Sequence, residues 1–180
     1  VAGALLLVGG IYFATQITVA EVTATQARKS VEQNDIRGGL AGLLRATDYT
    51  PVRNARWLVQ AAELTPDAPT RLKLVDRALE LEPRNIRPLL LRAATLGETD
   101  TDVAIASLQQ AVAWNPNDRA LRERLAELLD ITGSDLAAAD QYEMALELND
   151  KLHPDEMERY DPAKIEILRT TVRTLRGHDD

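Results

Sequence analysis

Apolar residues recur at helical spacing in a series of segments, each bounded by proline, glycine, asparagine or aspartate. Residues 36–49 place Ile36, Leu40, Leu43 and Leu44 on one face and end before Thr50-Pro51. Residues 52–64 and 70–82 form the next two predicted helices, with Pro66 and Pro69 in the turn between them and Pro83 closing the second. Residues 85–97 and 101–114 follow, joined by Gly97-Glu98-Thr99-Asp100 and closed by Asn115-Pro116. Residues 118–132 and 134–149 pair around Gly133, which suits a left-handed helix end. Pro88 falls in a first turn, where a missing N–H breaks no helical bond. Asp35 is placed to cap its helix, as is Ser134 or Asp135.

A ladder of alanines runs through these segments. Ala46, Ala78, Ala111 and Ala145 recur at steps of 32, 33 and 34 residues. Around three of them the text repeats, as DRALELEPRN, QQAVAWNPND and YEMALELND. Leu58, Leu91 and Leu125 mark the preceding helices at steps of 33 and 34. Such a period predicts an all-α superhelix of stacked helix hairpins, each unable to bury its apolar face alone. Three hairpins span 52–84, 85–118 and 119–150, and a degenerate one spans 21–51. Small residues let paired helices approach, while Val75, Leu108 and Tyr142, three before each alanine, fill the groove between pairs. Seven before the alanines stand Gly39, Arg71, Ala104 and Ala138, so Arg71 departs from the small-residue pattern. Gly38, Gly39 and Gly42 make residues 36–49 a poor helix in isolation, at roughly 1 kcal/mol each relative to alanine.

The two ends differ from the array. Residues 1–20, VAGALLLVGGIYFATQITVA, hold no charge, and about 20 apolar residues are enough to span a bilayer. A transmembrane helix is expected there, running on into water through residues 21–33. Thr18-Val19-Ala20 also fits the small-residue cleavage pattern of a secretory signal, although no basic segment precedes it. A buried helix of a larger body is the third reading. The chain opens on Val1 rather than methionine, as a fragment would. At the other end, residues 151–180 leave the repeat pattern. Asp161-Pro162 starts a helix whose Ile165, Leu168, Val172 and Leu175 share one face, with Gly177 as its stop. This predicts a helix that covers the open end of the stack.

Charge and composition narrow the chemistry. Six basic and four acidic residues lie between Glu21 and Gln60, against 15 and 24 from Ala61 onward. That balance argues against nucleic acid as a partner, since phosphate binding needs a clustered basic face. The absence of cysteine excludes disulfides, thiolate metal sites and cysteine nucleophiles. His153 and His178 have no ligand-spaced partner on a shared helix, so no metal is expected. Gly38-Gly39 lacks the lysine and preceding strand of a phosphate loop. No catalytic constellation, and no cofactor site, is expected in this chain.

These sites resemble the tetratricopeptide repeat, a helix–turn–helix unit with leucine in its first helix and small, large, small and proline residues in and after its second. The third hairpin supplies Leu91, Ala104, Leu108, Ala111 and Pro116. The fourth supplies Leu125, Ala126, Gly133, Ala138, Tyr142 and Ala145, with Asp150 where proline is usual. The second supplies Leu58, Val75, Ala78 and Pro83, and the first Gly39, Leu43, Ala46 and Pro51. The resemblance covers residues 21–152 and implies a scaffold for protein–protein interaction. A fainter resemblance, carried by ALELEPRN and AVAWNPNDRALRERLAELL after an apolar span, is to the C-terminal end of bacterial O-antigen ligase/polymerase-like membrane proteins. It implies a non-catalytic tail on a glycan-assembling protein, and a bacterial inner-membrane location.

Stacked hairpins form a groove along their first helices. That face is expected to present Arg53, Arg56 and Gln60, then Ile86, Leu89 and Ala93, then Ala120, Glu123 and Glu127. Its expected occupant is a protein or peptide, held near a membrane through residues 1–20.

Overall fold

A computed structural model describes residues 2–49, 55–153, 156–157 and 159–177, with side chains from Gly9 onward. Among them are nine helices and no strand: α1 (Ala2–Glu32), α2 (Ile36–Tyr49), α3 (Arg56–Leu64), α4 (Ala68–Leu81), α5 (Ile86–Leu96), α6 (Thr101–Trp114), α7 (Arg119–Ile131), α8 (Asp135–Asp150) and α9 (Pro162–Gly177). The chain divides into two compact units, Val1–Leu91 and Arg92–Asp180, with the division falling inside α5.

The local signals mostly act as expected. Asn34 takes a left-handed φ of 66° at the break before α2, a conformation asparagine tolerates better than most residues. The Asp35 carboxylate accepts from the Gly38 N–H at 2.9 Å. Asp67, Asp100, Asp118 and Asp161 likewise cap α4, α6, α7 and α9. Gly133 sits at φ 72°, where the Ser134 N–H reaches back to the Leu129 carbonyl at 2.9 Å and ends α7. Ser134 occupies the position before α8 but makes no side-chain capping bond, contrary to one expectation.

In unit 1, α1 pairs with α2, α2 packs on α3, and α3 pairs with α4. The helix continues past Ala20, as expected: α1 runs unbroken to Glu32, and Ala20, Ala24 and Ala27 are buried against the hairpin. Gly39 and Gly42 explain the contact. A Cβ on Gly42 would lie 2.6 Å from the Ala27 Cβ, and one on Gly39 would lie 2.3 Å from the Val31 Cγ2. Read from sequence as a weakness, these two glycines are what lets α1 and α2 meet. Trp57 then fills the space between Ala20, Ala24, Ala27, Leu43, Ala46 and Ala61. A second cluster, Ala55, Leu58, Val59 and Ala78, packs beside it. The Arg71 guanidinium Nε donates to the Thr65 carbonyl at 3.0 Å, so the odd residue of the ladder fastens the turn before α4.

α1 is about 46 Å long and α2 about 21 Å at 1.5 Å per residue. The leading part of α1 therefore has no hairpin partner, and Ile11, Tyr12 and Phe13 are 64%, 65% and 45% exposed. Among the described residues no helix is long and apolar enough to cross a membrane. The expected span over 1–20 overlaps the start of α1, and the side chains of residues 1–8 lie outside the described set.

In unit 2, α6 packs on α7, α7 pairs with α8, and α8 packs on α9. Ala104, Ala111, Ala138 and Ala145 are fully buried, as are Ala46 and Ala78 in unit 1, so the ladder lies at helix contacts throughout. Leu168, Val172 and Leu175 of α9 are buried. Glu166, Ile167, Arg169, Thr170 and Arg173 face outward, and Arg176 pairs with Asp140 and Glu143 of α8. The final helix thus covers α8 with one apolar stripe and leaves a mostly polar outer face.

Candidate partner-binding surfaces

The expected groove residues fall on α3, α5 and α7, in different surroundings. Arg53 lies outside the described residues. In unit 1, Arg56 is exposed, Gln60 and Ile86 are half-buried, and Leu89 is fully buried. In unit 2, Ala93 is buried, Ala120 and Glu127 are exposed, and Glu123 is half-buried. Leu89 and Ala93 therefore supply packing, because α5 turns its apolar side inward; they offer no surface to a partner.

Unit 1 builds its surface from the first helices of its hairpins. Two adjoining clefts share Gln60 and Glu63. One of ≈ 370 Å³ includes Arg56, Val59, Asn85 and Arg87. The other, of ≈ 270 Å³, includes Arg28, Val31, Glu32, Leu43 and Leu64. The Arg87 Nε donates to Glu63 Oε1 at 2.6 Å, and its Nη2 lies at the same distance. Glu82 organises the base of this region: its carboxylate accepts from the Ala55 N–H at 2.9 Å and from Asn85 Nδ2 at 2.8 Å. A carboxylate at the start of α3 also favours the positive end of that helix. Neither Arg28 nor Arg87 belongs to the groove expected from sequence. The sequence shows Arg28 in the charged stretch after residue 20, but not which face of α1 turns toward α3.

Unit 2 is organised around Asn149. Its Oδ1 accepts from Arg119 Nη1 at 2.8 Å and from the Tyr160 N–H at 2.7 Å, and the residue is fully buried. The Arg119 guanidinium sits 4.5 Å from the Tyr160 ring centroid, a cation–π contact. The Tyr160 hydroxyl donates to Glu123, and Lys164 Nζ lies 2.7 Å from the same carboxylate. Glu123, expected to be open groove surface, is thus held by the segment leading into α9; its side chain is 14% exposed. Burial and the Glu123 hydrogen bond push the Tyr160 phenol well above its ordinary range. Burial, with Glu127, Asp130 and Glu123 nearby, raises the Tyr142 phenol to about 12. A cleft of ≈ 630 Å³ opens beside this network, between the α6–α7 turn and Tyr160. Its edges include Asn117, Asp118 and Ala120. Sequence reading missed Asn149, Arg119 and Tyr160, since nothing in the repeat pattern links positions so far apart in the chain.

Among the described residues no group of three or more histidine, aspartate or glutamate side chains is placed to hold a metal ion. His153 lies in the loop after α8, and His178 lies outside the described residues.

No protein-family model matches the chain, and no curated protein is significantly similar to it. Solved structures do match. A tetratricopeptide repeat protein from Parabacteroides merdae ATCC 43184 superposes with a TM-score of 0.73 at 17% identity, over 89% of this chain and 61% of that one. The chain therefore spans less than two thirds of that protein's length. MamA (41-end) from Desulfovibrio magneticus RS-1 matches with a TM-score of 0.64 at 16% identity, over 89% of this chain and 97% of that one. A thermophilic tetratricopeptide repeat protein of Thermus thermophilus matches with a TM-score of 0.60 at 21% identity, over 96% of both. At such identities the likeness is one of fold. The chain has the tetratricopeptide-repeat fold, an all-α array of helix hairpins.

Proposed function

We propose that this chain is a membrane-anchored scaffold that holds a protein or peptide partner on the first helices of its hairpins. The observation that carries the reading is the division of labour within α1. Its later part, from Ala20, packs into the first hairpin, while Ile11, Tyr12, Phe13 and Val19, among the described side chains before it, are exposed. A helix apolar on all sides belongs in an apolar surrounding rather than on a water-facing surface. Thr15 and Thr18 fit that role, because their hydroxyls donate to the Ile11 and Ala14 carbonyls at 2.8 and 2.9 Å and so present little polarity outward. Glu21 is the first charge, and Arg28 and Lys29 follow. A bacterial inner membrane is the location this reading assigns, with residues 1–20 as the anchor.

Two measurements test it on the full chain. Flotation with phospholipid vesicles should carry the chain upward, and the double variant Ile11→Lys/Phe13→Lys should stay behind. Equal flotation of both would remove the anchor from the reading. A photo-crosslinking side chain at Arg56 or Glu127 should capture a polypeptide in cells, with the outward Arg173 as control. Capture no stronger from the first two positions than from Arg173 would sink the scaffold.

A further inference from the structure

The chain holds two methionines and no cysteine, so Met144 and Met157 carry its only sulfur atoms. They stand in opposite settings. Met157, in the segment after α8, is fully exposed. Met144 lies on α8 at 41% exposure, and its sulfur accepts a hydrogen bond from Arg122 Nη1 at 2.9 Å. The guanidinium that makes this bond is fixed by two further acceptors. Its Nε donates to the Pro116 carbonyl at 2.9 Å, and Nη1 also donates to Gln141 Oε1 at 3.0 Å. Gln141 and Met144 are three residues apart on α8 and share a face of it, while Pro116 belongs to the turn before α7. A planar fork tied to both the turn and α8 has little freedom to swing away from the sulfur.

This contact has a chemical consequence. A thioether sulfur has two lone pairs, and a two-electron oxidant such as hydrogen peroxide delivers oxygen to one of them. The sulfur attacks one peroxide oxygen, the O–O bond breaks, and the hydrogen on the transferred oxygen passes to the other, which leaves as water. Sulfur is oxidised by two electrons and the peroxide is reduced by two. The sulfoxide product is polar and chiral at sulfur. On Met144 the Arg122 N–H engages one side of the sulfur. Attack from that side first breaks the hydrogen bond and strands a charged donor, a cost that corresponds to about tenfold in rate. Met157, out in solvent, offers both sides alike.

We propose that Met144 is a site of stereoselective oxidation by peroxides, with Arg122 as the shield that assigns the oxygen to one side of the sulfur. Methionine sulfoxide reductases each accept one epimer. The modified Met144 therefore depends on one of the two enzyme classes for its repair, whereas Met157 draws on both. Tyr142 and Ala145 beside it are buried, but Met144 is open, so the new S=O dipole lies at the surface of the last hairpin and leaves the core packed.

The test uses the full chain in detergent micelles with limiting hydrogen peroxide, then digestion and mass spectrometry. The peptides are treated with one or the other epimer-specific reductase and dithiothreitol. One reductase should clear about ten times as much Met144 sulfoxide as the other, while Met157 sulfoxide should divide about equally between them. Arg122→Leu should bring Met144 to the same equal division. So should the milder Arg122→Gln, whose amide is too short by two bonds to reach the sulfur, with circular dichroism reporting that each variant is folded. Oxidation of the wild-type chain in denaturant should also give equal division. In a Met157→Leu background, the oxidised chain should melt within about 2 °C of the reduced one. Equal division at Met144 in the native chain would overturn the proposal. Selectivity that persists in folded Arg122→Gln would assign it to the helix itself and remove Arg122 from the account, and selectivity that persists in denaturant would assign it to the local sequence. A large fall in melting temperature on oxidation would place the oxygen in the core and equally defeat the proposal.

Discussion

In the first hairpin, α1 and α2 meet across Gly39, Gly42, Ala24 and Ala27, with backbone close to backbone. In the last, α7, α8 and the approach to α9 meet around Asn149, whose one carbonyl oxygen serves both Arg119 and the Tyr160 N–H. Both solve the same problem, since the outermost hairpin of an array has one side no repeat covers. The first contact is specified by absent side chains, and almost any addition damages it. The second is specified by polar groups that depend on one another, and any deletion leaves a partner unpaired. Small-residue packing tolerates changes of charge and salt; a hydrogen-bonded network does not.

The largest effect should come from adding bulk to the first contact. Gly42→Leu must displace Ala27, and overpacking of this kind should cost about 3 kcal/mol. Chemical denaturation of the variant should show it, and an unchanged midpoint would contradict the close approach of α1 and α2. The last hairpin should respond to deletion. Asn149→Ala removes the shared acceptor of Arg119 Nη1 and the Tyr160 N–H, at about 2 kcal/mol, while Asn149→Asp, which keeps the acceptor, should lose less. If the two variants melt alike, Asn149 is a space-filler and the contrast fails.

Alkaline pH should separate the two ends further. Tyr142 in the folded chain ionises near 12, above its ordinary range, and Tyr160 is shifted the same way. The unfolded phenols lose their protons first, so their stabilising contribution is complete below about pH 10 and disappears as pH rises through the folded values. Stability should fall across that interval, and Tyr142→Phe and Tyr160→Phe should flatten the decline. Tyrosinate absorbance gives the check; both residues titrating at the ordinary value would refute it. The smallest effect should follow Arg176→Gln. That residue pairs with Asp140 and Glu143 at the surface, and its guanidinium is held further toward the charged form mainly by the Glu143 hydrogen bond. Exposed ion pairs contribute little, so thermal melting should barely move; a large drop would mean that α9 is held on by charge more than by Leu168, Val172 and Leu175.

Periodicity and caps carried much of the fold. The boundaries expected for residues 36–49 and 101–114 coincide with α2 and α6, because proline and aspartate act locally. Ala46, Ala78, Ala111 and Ala145 were legible as contacts because a small side chain every repeat has few other uses. The candidate surface was less legible. Leu89 and Ala93 share a helical face with plausible groove positions, yet both are buried. Gly39 and Gly42 read as poor helix formers, since propensity describes a helix alone and says nothing of a neighbour that needs the room.

The sequence by itself determined the repeat, the helix ends, the covering role of α9 and the apolar character of residues 1–20. Each follows from interactions within a few residues or from a pattern that every hairpin repeats. Only the tertiary structure decided which face of α1 meets α2, with Ala20, Ala24 and Ala27 buried there. It also decided that Glu123 is taken by Tyr160 and Lys164, and that the Gln60 Oε1 is buried without a donor. These depend on which helix faces are brought together from distant parts of the chain, and a one-dimensional period leaves that rotation open.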